Sequence, residues 1–370
     1  MTIMLGDPVP WFFGARTVTG ATIDLHVQAG RWVVLAFLGE AGDPQTGAEL
    51  AALLGRAKLL GEQHLVLYLI LPDARPDREM FGSISGEALG VIEDPDGALA
   101  RQFGAAGAPR TIVLDPMLRA VANIAWDDPA GHAALLGQVL ASLPPVANSA
   151  GVELYAPVLV VPRVFEFPLC DLLVDLYQSQ GGTESGFLVS RDGATATLVD
   201  HRFKRRRDLA IGNPEVREVM RDRVVRRLVP AIERYFQFRP TRMDRYLVSC
   251  YDSATGGHFH RHRDNLLPGS RHRRFAVSIN LNGDYQGCDL VFPEFGPRAY
   301  RAPTGGAVVF STATLHQVTP IVAGRRFAFV PFLYGETDVA KRLEDNAELG
   351  AGSVKYQAGD DLLFPGAGGG

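Results

Sequence analysis

GGHFHRHRDN, residues 256–265, places His262 two residues before Asp264. On an extended strand, side chains alternate between faces, so both groups project to the same side. A neighbouring strand can bring His316, in LHQVTP, alongside them. Two imidazoles and one carboxylate on one side of a metal leave three adjacent coordination positions open, which suits binding of further ligands. Ten residues after His316 comes Arg326, in VAGRRFAFV, where a guanidinium in an apolar barrel can clamp a carboxylate. His258 and His260 share the strand face of His262, as extra ligands, as hydrogen-bonding neighbours or, more commonly for such positions, as polar residues at the rim. His272, in SRHRRF, reads as a solvated loop residue.

Outward from this stretch, from Pro157 onward, short strands are separated by Gly, Asn and Pro, as in a jelly roll. Strands are expected at TRMDRYLVSCY (241–251), HFHRH (258–262), RRFAVSINL (273–281), CDLVFP (288–293), AVVFS (307–311) and RFAFVPFLY (326–334). Two helices, about Phe167–Gln180 and Pro214–Phe236, carry apolar residues at helical spacing and would buttress one sheet. Residues 1–147 follow another rhythm. Buried strands (GRWVVLAFLG, HLVLYLILP, ALGVIED, RTIVLD, AVANIAW) alternate with a helix from Thr46 to Leu60 and another at GHAALLGQVLASL. That is an α/β layered domain. The expected division is an α/β domain at 1–147, a linker at 148–156, the jelly roll at 157–336, and a short helix with a Gly-rich tail at 337–370.

Composition sets the surroundings. The 370 residues allow two cores; 46% are hydrophobic and 21% charged, and the net charge of −4 gives no global attraction to nucleic acid or membranes. No apolar run reaches membrane-spanning length, and MTIMLGDPVPW lacks the basic-then-apolar form of a signal peptide. Three cysteines (Cys170, Cys250, Cys288) are too few for a disulfide framework, so a reducing cytoplasm is expected. HRFKRRRD, residues 201–208, packs five cations into six residues, which favours an extended, solvated loop. At a barrel mouth, Arg205, Arg206 and Arg207 would concentrate an anionic substrate; the plainer reading is a solvated surface run.

CYDSATGGHFHRHRD, GCDLVFPEFG and LHQVTPIVAGRR together resemble the prolyl-4-hydroxylase-like branch of the 2-oxoglutarate/Fe(II) oxygenases, over about residues 156–335. The resemblance implies that His262, Asp264 and His316 hold Fe(II) and are catalytic. It implies that Arg326 binds the distal carboxylate of 2-oxoglutarate, with Tyr251 as a cosubstrate contact. Tyr251 stands one residue further from the His than the family pattern has it. Asn280 falls where relatives place a Tyr that holds the same carboxylate. Phe259 replaces another common Tyr, and Cys288 the second Gly of a Gly-Gly pair. The implied reaction consumes O2 and 2-oxoglutarate, releases succinate and CO2, and hydroxylates or desaturates a peptide, amino acid or small metabolite; it leaves room for ascorbate as a reductant. Asp264 argues against halogenation, since related halogenases have a small residue there. The alternatives are a non-turnover iron and 2-oxoglutarate sensor or scaffold and, more distantly, a nucleic-acid demethylase. The latter branch carries a second Arg where Phe332 stands.

GDPVPWF, VVLAFLG, QTGAEL and PRTIVLD resemble the peroxiredoxin branch of the thioredoxin fold. Thr46 holds the register of the peroxidatic cysteine, and no cysteine precedes Cys170. Without a thiolate there is no nucleophile for peroxide chemistry. The domain is therefore expected to be redox-inactive, leaving scaffolding, homodimerisation or substrate presentation.

Overall fold

The computed structural model describes residues 3–38, 64–72, 89–107, 109–126, 129–191, 194–350, 355–357 and 361–364. The helix expected from Thr46 to Leu60 and the GAGGG end lie outside the described residues. The chain divides into two compact units, Met1–Ala156 with Phe292–Arg298, and Pro157–Val291 with Ala299–Gly370.

The first unit is thioredoxin-like. Its sheet has five strands, β1 (Trp32–Phe37), β2 (Leu65–Leu71), β3 (Leu89–Glu93), β4 (Arg110–Leu114) and β5 (Ala120–Ala125), in the order β3-β2-β1-β4-β5. β1–β2 and β2–β3 are parallel, and β1–β4 and β4–β5 antiparallel. Every residue of β1 and β2 is buried. Parallel strands covered on both faces read as unbroken apolar runs, and WVVLAF and LVLYLIL are such runs. Val34, Ala36, Leu67, Leu69 and Val91 form a core with Leu136 and Leu140 of helix α1 (Pro129–Ser142).

The second unit is mainly β, with helices on one face. In chain order it has α2 (Phe167–Gln180), β6 (Lys204–Arg205), α3 (Pro214–Arg223), α4 (Val229–Phe236), β7 (Arg242–Asp244), β8 (Leu247–Asp252), β9 (His258–His262), β10 (Phe275–Asn280), β11 (Leu290–Val291), β12 (Ala307–Ser311), β13 (His316–Val318), β14 (Arg325–Phe329), β15 (Phe332–Tyr334) and α5 (Val339–Asp345). One sheet has nine strands and includes β7, β15, β10, β14, β8 and β12; the other runs β6-β9-β13-β11 and ends at Ala299–Tyr300. The pairings are antiparallel, and Phe310 of the first sheet meets His316 of the second with ring centres 4.6 Å apart. This is the double-stranded β-helix, or jelly roll, expected of the sequence.

Three expected elements are divided, each for a local reason. TRMDRYLVSCY forms β7 and β8, separated at Arg245, whose φ of 66° breaks the extended run. RFAFVPFLY forms β14 and β15 around Pro331, which has no N–H to give a ladder. The helix at 214–236 is interrupted by a π turn at Val224–Leu228, because Pro230 cannot donate to the carbonyl four residues back and its ring crowds it. Asn213 caps the start of α3, accepting from Glu215 N at 2.8 Å and Val216 N at 3.1 Å.

Alternation along the nine-stranded sheet separates packing from chemistry. Val248 and Cys250 of β8, Val277 and Ile279 of β10, and Phe327 and Phe329 of β14 join Leu169, Leu173, Met220 and Ile232 of the helices in one core. The intervening residues, Tyr251, Ser278, Asn280 and Arg326, therefore turn to the opposite face.

Candidate metal centre and cosubstrate pocket

β9 and β13 are antiparallel neighbours with His262 opposite His316, and their ring centres lie 4.2 Å apart. Asp264 is not on the same strand as His262, since β9 ends at that histidine. Its place is held instead by its own N–H, which donates to the Thr312 carbonyl at 2.9 Å. His262 Nε2 is 3.6 Å from Asp264 Oδ1, and His316 Nε2 is 3.3 Å from Oδ2. The other imidazole nitrogens face carbonyls, His262 Nδ1 at 2.7 Å from His260 O and His316 Nδ1 at 3.0 Å from Thr314 O. A carbonyl only accepts, so each Nδ1 carries a hydrogen, which leaves each Nε2 as the atom that faces the carboxylate and would give its lone pair to a bound metal. The three donor atoms lie within 4.8 Å of one another. Burial, then the His316 ring beside it, pushes the His262 pKa down to about 3, leaving the His262 ring neutral and free to ligate. Burial alone would raise the Asp264 carboxyl, but His316 foremost, with His262 and Arg273, holds it below the usual carboxylate range. Two imidazole nitrogens around an ionised carboxylate fit a divalent cation.

His258 and His260 do not share the face of His262. Phe259 pairs with Val318 and His262 with His316, so three steps along β9 oppose two along β13. That bulge reverses the alternation. Phe259 stacks on His262 at 3.6 Å, while His258 hydrogen-bonds the carbonyls of Gly256 (2.8 Å) and Arg202 (3.1 Å), and His260 is exposed. His272 is not solvated. It is fully buried, with Nε2 3.5 Å from Asp244 Oδ2 and its ring edge-on to Tyr334 at 4.7 Å.

Arg326, Tyr251 and Asn280 come together in a second cluster. Tyr251 is the cross-strand partner of Arg326, and the guanidinium carbon lies 5.9 Å from the tyrosine ring centre. Asn280 Oδ1 accepts from Arg326 Nε (3.1 Å) and Nη2 (2.9 Å), Ser278 Oγ accepts from Nη2 (2.7 Å), and Cys288 O accepts from Nη1 (3.2 Å). Asn280 Nδ2 in turn donates to Ala302 O at 2.7 Å. Asn280 thus spends its polar atoms fixing the guanidinium plane. Nη1, whose carbonyl contact is the longest of the four, is the edge best able to turn to a ligand carboxylate.

The basic run is not a solvated loop. Lys204 and Arg205 form β6 beside β9, with Lys204 opposite Phe259 and Arg205 opposite His258. Alternation turns Lys204 and Arg206 inward, at 4% and 8% exposure, and leaves Arg207 exposed. Arg206 pairs with Asp208 at 2.7 Å and lies 5.9 Å from the Tyr251 ring. Ser278, which holds Arg326, is a residue that the sequence reading missed although it shares the inward face of Asn280 on the strand expected at 273–281, and period two over 204–207 would have turned Lys204 inward.

A jelly roll with two histidines and one aspartate converging, and with a buried arginine on its other sheet, defines a class of metal-dependent oxygenase sites. Residues 246–334 match the 2OG-Fe(II) oxygenase superfamily, and residues 5–121 match the AhpC/TSA family. A PKHD-type hydroxylase of Hyphomonas neptunium is 31% identical over 174 residues, covering 44% of this chain and 75% of that protein. One from Synechococcus sp. (strain JA-2-3B'a(2-13)) is 30% identical over 117 residues; the match takes in 29% of this chain and about half, 51%, of the relative's length. Among solved structures, a Pseudomonas putida prolyl-4-hydroxylase is 16% identical with a TM-score of 0.37, covering 49% of this chain and 94% of that one. Xanthomonas campestris Peroxiredoxin Q is 22% identical with a TM-score of 0.31, covering 38% and 96%. The chain belongs to the 2OG-Fe(II) oxygenase superfamily. Among the described residues, no helix is long and apolar enough to cross a membrane.

Proposed function

We propose that the chain is an Fe(II)- and 2-oxoglutarate-dependent hydroxylase acting on a peptide, amino acid or small metabolite. The observation that carries this is the convergence of His262 Nε2, His316 Nε2 and the Asp264 carboxylate, in a jelly roll that also buries Arg326 among fixed acceptors. Those three side chains would hold the metal, which when bound supplies oxygen activation coupled to decarboxylation of 2-oxoglutarate to succinate and CO2. Nδ1–H bonds to His260 O and Thr314 O keep both imidazoles aimed at one point, so the ligand set is ordered before the metal arrives. Arg326 takes the far carboxylate at Nη1, while Asn280 and Ser278 prevent the guanidinium from rotating. Phe259, stacked on His262, and Phe310, edge-on to His316, cover the imidazoles with apolar surface and exclude water. The three cysteines are free and buried, as befits a reducing cytoplasm.

The test is succinate release. The purified chain is loaded anaerobically with Fe(II) and 2-oxoglutarate, oxygen is admitted, and succinate is quantified alone and with a metabolite or peptide library scored by a one-oxygen mass gain. Binding of both without succinate under any condition would make the chain a sensor.

A further inference from the structure

Lys204 is a buried cation that the chemistry described above leaves unused. It is 4% exposed, and its ammonium donates to Ser185 Oγ and Gly186 O, both at 2.7 Å. An ammonium has three N–H donors, so one is left beyond these two acceptors. Asp208, an acid that acts on Lys204, is engaged elsewhere through Oδ2. It pairs with Arg206 at 2.7 Å and accepts from Ser185 Oγ at 2.5 Å. The charged groups that act on Lys204 are the cations Arg206 and Arg245 and the acids Asp208 and Asp264, so with Lys204 itself three cations face two carboxylates, and Asp264 is also a metal ligand. Burying cations in excess of acids is unfavourable unless an anion binds there. Burial, then Arg206, pushes the Lys204 ammonium well below its ordinary range, a pressure that an arriving anion would relieve.

The surplus charge lies beside the metal ligands. Lys204 Nζ is 4.8 Å from the centre of the Phe259 ring, and that ring stacks on His262 at 3.6 Å. The cosubstrate's carboxylate already has a cation in Arg326, which stands on the nine-stranded sheet, whereas Lys204 is on the edge strand of the five-stranded one. We propose that Lys204 is a specificity-determining residue whose free N–H and charge receive an anionic group of the substrate, a carboxylate or a phosphate, so that the substrates are acids. This rests on the hydroxylase reading and narrows its substrate class.

The experiment uses the full chain loaded with Mn(II) and 2-oxoglutarate, as wild type, Lys204→Met and Lys204→Arg. Thermal midpoints are followed against acetate and against inorganic phosphate, each referred to chloride at equal ionic strength. The wild type should show a saturable rise with one of the two, which names the anion. Lys204→Met should lose it, and Lys204→Arg should keep part of it. Ser185→Ala leaves the charge and frees an N–H, so it should retain the response; it decides the matter if Lys204→Met does not fold. Equal responses in wild type and Lys204→Met, no response in the wild type, or loss in Ser185→Ala would overturn the inference. So would a Lys204→Met that only needs more 2-oxoglutarate, which would assign the residue to the cosubstrate. Failure of Mn(II) and 2-oxoglutarate to stabilise the wild type would sink the hydroxylase reading, and this inference with it. Stabilisation by both, with anion effects independent of Lys204, would sink this inference alone.

Discussion

β1 of the first unit and β14 of the second are strands of similar length that obey the same alternation and bury different things. On β1 both faces are apolar, Trp32, Val34 and Ala36 on one and Val33, Leu35 and Phe37 on the other. On β14, Phe327 and Phe329 pack on the helices, while Arg326 is buried on the opposite face among Asn280, Ser278 and Cys288. A strand apolar on both faces contributes stability and nothing else. A buried guanidinium adds an unfavourable desolvation that only well-placed acceptors offset, so its retention points to a ligand. The first unit has buried polar side chains too, but Thr111 Oγ1 and His132 Nε2 satisfy each other at 2.9 Å. With no cysteine before Cys170 that unit has no thiol, and we propose a scaffolding role for it.

The contrast is broken most severely at His316. His316→Ala removes one of three donors, and a two-point site holds a divalent ion neither tightly nor in a fixed orientation. Succinate production should fall to background while the thermal midpoint of the metal-free protein changes little. Near-normal succinate from this variant would overturn the metal assignment.

The next largest effect falls in the first unit and should appear as stability without chemistry. Leu69 is fully buried in the β2 core, and a Leu→Ala change at such a site costs about 2–5 kcal/mol. Leu69→Ala should lower the unfolding midpoint of that unit, and peroxide consumption with a thiol donor should be at background in both wild type and variant. A peroxidase rate lost on mutating Cys170, Cys250 or Cys288 would show that the first unit had been misjudged.

Arg326→Ala sharpens the comparison from the other side. A hydrogen bond to a charged group contributes roughly 1.5–3 kcal/mol, so the 2-oxoglutarate concentration for half-maximal turnover should rise on the order of ten- to a hundredfold. Arg325, half a strand period away and exposed, should show no such effect on substitution. The reverse result would mean that the strand register is misread by one residue.

What was legible in the sequence was whatever depends on local period. The histidine of β9, the later histidine and the strands flanking them were legible from residue period, and the structure brings His262, Asp264 and His316 together, although Asp264 reaches the group from beyond the end of β9. The bulge in β9 left no local mark, because an extra residue in a strand is chosen by the pairing partner, here Val318 and His316. His258 and His260 were therefore assigned to the wrong face. The basic run misled for a related reason. Charge density argues for solvation only when no distant acceptor competes, and Ser185, Gly186 and the adjacent Asp208 supply acceptors that turn two of its cations inward. His272 was misplaced in the same way, its partner Asp244 lying 28 residues earlier in the chain.

The smallest effect separates the inward and outward halves of that run. Arg205 is half-buried, with Nη1 on the Thr255 carbonyl at 2.5 Å, and Arg207 is exposed, 4.0 Å from Glu184. Exposed pairs of this kind contribute about 0–1 kcal/mol and are weakened further by salt. If the run acted as an electrostatic gate, reversing these charges would slow substrate capture and make the wild-type rate fall steeply with ionic strength. The burial of Lys204 and Arg206 leaves too little outward charge for that. Arg205→Glu with Arg207→Glu should therefore change turnover less than about threefold, within the range of exposed pairs, and leave the 2-oxoglutarate requirement unchanged. A large loss of substrate use that added salt reproduces in the wild type would restore the gate and shift the anion recognition from the buried lysine to the surface.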